Sequence, residues 1–165
     1  MRNLLRAALI LSLFAAIHAT AQADVVRPAP NFGIEGVGKA ATLRNFHGQA
    51  VVLIIARDTR VKEFRAMIVR LRQMYAQFAA EKVVFVAAIE NGPAEVLSDI
   101  PFAIAANPAQ VAADYGVTGR YAIAVIGTDG NLDMITNRMI AAERVRDVVF
   151  NNFESQQQSR KLPGF

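Results

Sequence analysis

The chain has no cysteine and no tryptophan in its 165 residues. The first absence excludes disulfides, thiolate nucleophiles and sulfur-ligated metals. Histidine is scarce as well: His18 falls in the leader described next, and His47 is the other. One imidazole among scattered carboxylates does not make a metal site, so no metal or other cofactor is expected. Gly-x-Ser-x-Gly is missing, and so are any internal repeat and any linker-like segment.

No apolar run reaches the roughly twenty residues needed to span a bilayer as a helix. The run Ala7–Ile17 follows Arg2 and Arg6 and precedes the small residues Ala19-Thr20-Ala21-Gln22-Ala23, the layout of a secretory signal peptide cut after Ala21 or Ala23. The expected product is periplasmic or secreted. Cleavage after Ala23 leaves about 140 residues, enough for one domain with a single core. Losing Arg2 and Arg6 lowers the net charge from +4 by two. So small a charge does not favour nucleic acid, and none is expected as a partner. The expected layout is a signal peptide at 1–23, one domain at 24–155 and a polar tail at 156–165.

The stretch from Ala50 to Phe78 organises the rest. Val51-Val52-Leu53-Ile54-Ile55-Ala56 has no polar alternation, which suits a strand covered on both faces. Asp58 or Thr59 is positioned to cap a helix. Val61, Phe64, Met67, Ile68, Leu71, Met74, Tyr75 and Phe78 then recur at steps of three and four, one buried stripe of a single long helix. Around that stripe Arg57, Arg60, Lys62, Arg65, Arg70 and Arg72 face only Asp58 and Glu63, making this the most basic part of the chain.

Either side of it, Val26–Asn31 reads as an extended lead-in set by Pro28 and Pro30. Phe32–Phe46 reads as a small hairpin, and His47-Gly48 as a turn into the central strand. Lys82–Ile89 is a second buried strand, with a short helix starting near Pro93 and running through Leu97. Pro101–Ala106 is a third strand. Asn107-Pro108 caps a helix that stops at Gly116. Tyr121–Ile126 is a fourth strand, turned by Thr128-Asp129-Gly130-Asn131 into Leu132–Thr136. Ala141–Phe153 is helical, and the Gln156-Gln157-Gln158 tail frays. Gly33-Ile34-Glu35-Gly36-Val37-Gly38-Lys39-Ala40 is one residue from a phosphate-binding loop, but Ala40 cannot ligate magnesium and Glu35 would face phosphate, so it reads as a hairpin turn.

This alternation, with a parallel pair first and an antiparallel pair last, is an α/β order: a central mixed sheet flanked by helices, with a short N-terminal hairpin. The chain resembles the thioredoxin-like superfamily, in particular its peroxiredoxin (AhpC/TSA) and TlpA-like branch. The resembling pieces are Ala29-Pro30-Asn31-Phe32, Gly38-Lys39, Leu43-Arg44-Asn45-Phe46-His47-Gly48, Val51-Val52-Leu53, Tyr115-Gly116-Val117-Thr118-Gly119 and Ala124-Val125-Ile126-Gly127-Thr128-Asp129-Gly130. The resemblance implies thiol chemistry, which needs a low-pKa sulfur. Counting on from Val51, the two cysteines of a TlpA-like site fall at Arg60 and Glu63, and a peroxiredoxin nucleophile falls at Phe64. The facing cis-proline falls at Tyr121, an acidic residue at the end of that strand is replaced by Gly127, and Arg120 is one position out of register with the family's arginine. Every catalytic position that can be placed is empty.

The expectation is therefore an exported, redox-inactive thioredoxin-like domain serving as a binding or scaffold module in the cell envelope. Its groove would be bordered by Arg57, Arg60, Glu63, Phe64, Arg65 and Tyr121. An envelope protein or a small acidic ligand is the expected partner, with a membrane surface as a weaker one. The basic face reads equally as a solvated helix face, and Tyr121 as packing. The alternative is an enzyme using Arg60, Glu63 and His47 in the same groove, although His47 also reads as a plain turn residue.

Overall fold

Strand β3 (Val51–Ala56) is an inner strand of a mixed sheet and all six of its residues are buried. It runs parallel to β4 (Val84–Ile89) on one edge and antiparallel to β6 (Tyr121–Ile126) on the other. Paired on both edges and covered on both faces, it has no polar side to present, which explains the unbroken apolar run. The computed structural model describes residues 27–35, 41–91 and 96–161, with side chains as far as Asn151. The expected signal peptide, the glycines at 36 and 38 with Lys39 and Ala40, and the start of the expected helix at Pro93 lie outside these residues.

Seven strands among the described residues follow the order β2-β1-β5-β4-β3-β6-β7. Here β1 is Gly33–Glu35, β2 is Ala41–Thr42, β5 is Phe102–Ala105 and β7 is Leu132–Thr136. Alternate residues of β3 face opposite ways, so the sheet builds two cores. Val52, Ile54 and Ala56 pack under α1 (Lys62–Gln73), α2 (Tyr75–Ala80) and α4 (Ala142–Lys161), against Met67, Leu71, Phe78, Val145 and Val149. Val51, Leu53 and Ile55 pack on the other face with Phe32, Leu43, Tyr115 and Val111 of α3 (Pro108–Asp114).

Several local expectations are corrected. The long helix divides at Met74, whose backbone (φ −114°, ψ 7°) leaves the helical region. The buried stripe continues through Leu71, Met74 and Phe78, so the division redirects the axis without opening the seam. Neither Asp58 nor Thr59 caps α1. The N-cap is Val61, and the Asp58 carboxylate instead accepts the Arg60 N–H at 2.6 Å, an Asx turn one step ahead of the helix.

Lys82 is not in the second strand. It sits at φ 55°, where its N–H donates to the Ala79 carbonyl and that of Val83 to the Phe78 carbonyl. This is a Schellman stop with lysine in the place glycine usually takes. Asn107 is the N-cap of α3, but at φ 53° and without a side-chain cap bond. Gly116 (φ 69°) ends that helix as expected.

Val96 and Leu97 are not helical. Gly33, Ile34 and Glu35 are strand residues, and β1 pairs with both β2 and β5, which draws the N-terminal hairpin into the main sheet and removes the phosphate-loop reading. α4 continues to Lys161, past the expected Phe153, because Glu, Gln, Ser, Arg and Lys cost a helix little and the next breaker is Pro163.

Candidate functional site

The chemistry implied by the family resemblance belongs where β3 and β4 end and β6 begins. That end of the sheet is laced shut by backbone. The Arg57 N–H donates to the Arg120 carbonyl at 3.0 Å, the Asn91 N–H to the Arg57 carbonyl at 2.7 Å, and the Glu90 N–H to the Ala56 carbonyl at 3.0 Å. Arg57 and Arg60 are both exposed. Arg60 folds onto Asp58, its Nε 3.5 Å from the carboxylate. The backbone N–H of Arg60, foremost, holds the Asp58 carboxyl below the usual carboxylate value, and the Arg60 guanidinium adds to this.

Tyr121 opens β6 opposite Ala56 and is buried, its ring filling the space under the start of α1. Its hydroxyl has no hydrogen-bond partner among the described residues, and neither does Oε2 of Glu63 in the first turn of α1. Burial pushes the Tyr121 phenol far above its ordinary value; Arg70 opposes that shift and Glu63 adds to it. Arg70 lies two turns along α1 from Glu63 and donates from Nη1 to the Ile140 carbonyl at 2.6 Å, tying the helix to the lead of α4. Tyr121 is thus part of the core with Val61 and Phe64, not an exposed border of the expected groove.

Removing an unpartnered buried hydroxyl while keeping the ring relieves its desolvation cost, so Tyr121→Phe stabilises the fold by about 1 kcal/mol at neutral pH. The gain widens in alkali. The folded state holds the phenol proton more tightly than the unfolded one, so the stability tied to that proton is intact below pH ~10 and falls as pH rises beyond it. Urea titrations of both proteins at neutral and alkaline pH check this, and a destabilised phenylalanine variant would show that the hydroxyl is satisfied in solution.

An open groove lies on the other flank of α1. It holds about 640 Å³ between a wall of Phe64, Arg65, Ile68, Val69 and Arg72 on α1, with Thr59 ahead of the helix, and a facing wall of Val96, Leu97, Ser98 and Asp99 from the β4–β5 connection. Phe64 is buried and forms the floor, whereas Val69 is 53% and Leu97 91% exposed. Arg72 Nη1 reaches across to Asp99 Oδ2 at 3.2 Å. With both partners largely exposed, that pair marks the rim and contributes little stability.

The six residues expected to border one groove are therefore divided. Phe64 and Arg65 line the open groove, Tyr121 is buried with Glu63 near it on the first turn of α1, and Arg57 and Arg60 stand in solvent. His47 does not join Arg60 and Glu63. It precedes β3, beside Gly130, at the opposite end of a six-residue strand that spans about 20 Å. The three residues of the enzymatic alternative share no site. Val96–Asp99 carried no local signal for this site, since only the tertiary fold sets them against α1.

Among the described residues no group of His, Cys, Asp or Glu is arranged to hold a metal, and no helix is long and apolar enough to cross a membrane.

The sheet order, the helices on both faces and the hairpin at one end define a thioredoxin-like fold. The comparisons with solved structures agree. A protein described as the thiol:disulfide interchange protein DsbE of Chlorobium tepidum superposes with TM-score 0.63 at 20% identity, over 77% of this chain and 96% of that one. Thioredoxin peroxidase I of Plasmodium yoelii gives 0.59 at 15% identity, over 85% and 95%. The exposed lipoprotein thioredoxin Etrx1 of Streptococcus pneumoniae gives 0.54 at 16% identity, over 74% and 99%. No family model and no curated protein sequence matches the chain. It has the thioredoxin-like fold without a cysteine.

Proposed function

We propose that the protein is an exported, redox-inactive thioredoxin-like domain that binds another protein of the cell envelope through the groove beside α1. The observation that carries this reading is the exposure of Val69 on α1 and Leu97 on the facing wall across an apolar groove. An apolar floor rimmed by arginine has the composition of an interface centre. Export is supported by the leader at 1–23, and the likeness to a pneumococcal exposed lipoprotein thioredoxin is compatible with it.

Photo-crosslinking in the native cell tests the site. A benzophenone side chain at Val69 or Leu97 is expected to give a protein adduct of one defined mass, absent when it is placed at Gln110 on α3 across the sheet. No adduct at either groove position would reject the binding site. Peroxide or insulin-disulfide reduction by the purified protein would reject its redox inactivity.

A further inference from the structure

We propose that the groove takes an amphipathic helical segment of the partner protein whose polar flank is acidic. This rests on the groove being a protein-binding site, and adds what kind of segment fits it. The apolar line Phe64, Ile68 and Val69 leads towards Arg72 over two turns of α1, about 12 Å, facing Val96 and Leu97. That length and spacing accept the i, i+4, i+7 anchors of a second helix.

An extended peptide has no strand edge to join here. The strand that follows the facing wall, β5, is already paired with β1 on one side and β4 on the other. The outer strands of the sheet, β2 and β7, stand at its two ends. A small ligand is poorly served too, because the charged groups stand on the rim and do not converge inside.

Charge sets the flank. On the α1 lip Arg72 is occupied by Asp99, whereas the exposed guanidinium of Arg65 has no ion-pair partner among the described residues. Lys62 adds positive charge at the start of the same helix, 3.9 Å from Glu63, while Arg70 is turned to Ile140 on the other flank. A carboxylate on the partner helix near Arg65 supplies the pair that no described residue makes. The same field argues against a second copy of this chain, since a two-fold contact would bring two basic α1 faces together.

The test uses the purified mature chain and two labelled peptides of about four helical turns. They share leucines at i, i+4, i+7 and i+11; one carries glutamates and the other lysines along one flank. Fluorescence anisotropy is expected to show the acidic peptide binding about tenfold tighter at low salt, the advantage shrinking as salt is added. Val69→Glu removes binding of both peptides, and its circular dichroism and melting curve serve as the folding control. Arg65→Glu reverses the preference.

Equal binding of the two peptides, or failure of both while Val69 still crosslinks in the cell, overturns the acidic-helix proposal and leaves the binding site standing. Failure of both without any crosslink overturns both readings. A dimer that Val69→Glu dissolves, or anionic vesicles binding in place of the acidic peptide, also overturns the proposal.

Discussion

Replacing Phe85 by alanine is expected to destabilise the protein by about 3–5 kcal/mol, the range found when a large aromatic is removed from a packed core. Phe85 is 2% exposed on β4, the strand beside β3, where three aromatic rings surround it. Phe78 meets it edge-on at 5.5 Å and Phe102 at 5.7 Å, while Tyr75 lies tilted at 6.0 Å. Phe78 and Tyr75 belong to α2 and Phe102 to β5, so one ring joins two strands and a helix. Each aromatic pair contributes about 0.5–1.5 kcal/mol beyond area burial.

The chain has no disulfide to restrict its unfolded state, and a domain of this kind holds only about 5–15 kcal/mol in total. The loss is therefore a large share of the whole. It corresponds to a melting temperature lower by roughly 10–20 °C. Urea titration should show a lower midpoint with an unchanged slope, because the same surface unfolds. Val69→Ala, on the exposed side of α1, should stay within about 0.5 kcal/mol of wild type. A Phe85→Ala midpoint equally close to wild type would mean that the aromatic cluster is not packed in solution.

The contrast between Phe85 and Val69 also shows what the sequence discloses. Signals that depend on near neighbours were legible. An unbroken β-branched run marks β3, an Asp-Gly pair marks the β6–β7 turn, and an Asn-Pro to Gly frame marks α3. What depends on distant parts of the chain was not. Nothing near Lys82 announces a left-handed residue, because the two hydrogen bonds holding it are set by the end of α2 and not by its side chain. Nothing in Gly33–Glu35 announces β5 as a partner, since three residues carry too little pattern to choose an edge.

The candidate site divides along the same line. Phe64 and Arg65 could be picked out because α1 is periodic, but their facing wall, Val96–Asp99, lies in an aperiodic connection. Tyr121 was placed opposite the start of α1 by the family resemblance, at the position of its facing proline. Its lack of a hydrogen-bond partner is a property of the packed fold alone.

The double substitution Arg60→Cys with Glu63→Cys is expected to create thiol–disulfide activity in a chain that has no cysteine. Both positions lie at the start of α1, the first in the exposed turn held by Asp58 and the second within the first helical turn. Backbone N–H groups left free at a helix start favour a thiolate there. A thiol lowered from about 8.5 to about 7 is half ionised at neutral pH, roughly fifteen times the thiolate of an unperturbed one. Removing Glu63 also deletes a buried oxygen that lacks a partner, so the change should not cost the fold much.

Mass spectrometry should find the oxidised variant two hydrogens lighter, and dithiothreitol should reverse this. With dithiothreitol as reductant, insulin reduction should rise above the background of the wild-type chain but remain slow, because the resemblance puts the buried Tyr121 where the family has its facing proline. Tyr121→Pro in the same background should then raise the rate further. If the two thiols stay reduced under mild oxidation, positions 60 and 63 are not the counterpart of a cysteine pair, and this helix start was never arranged for that chemistry. If they close and turn over, the scaffold has kept the geometry of a redox site, and the missing sulfurs, together with the ring at Tyr121, are what separate it from activity.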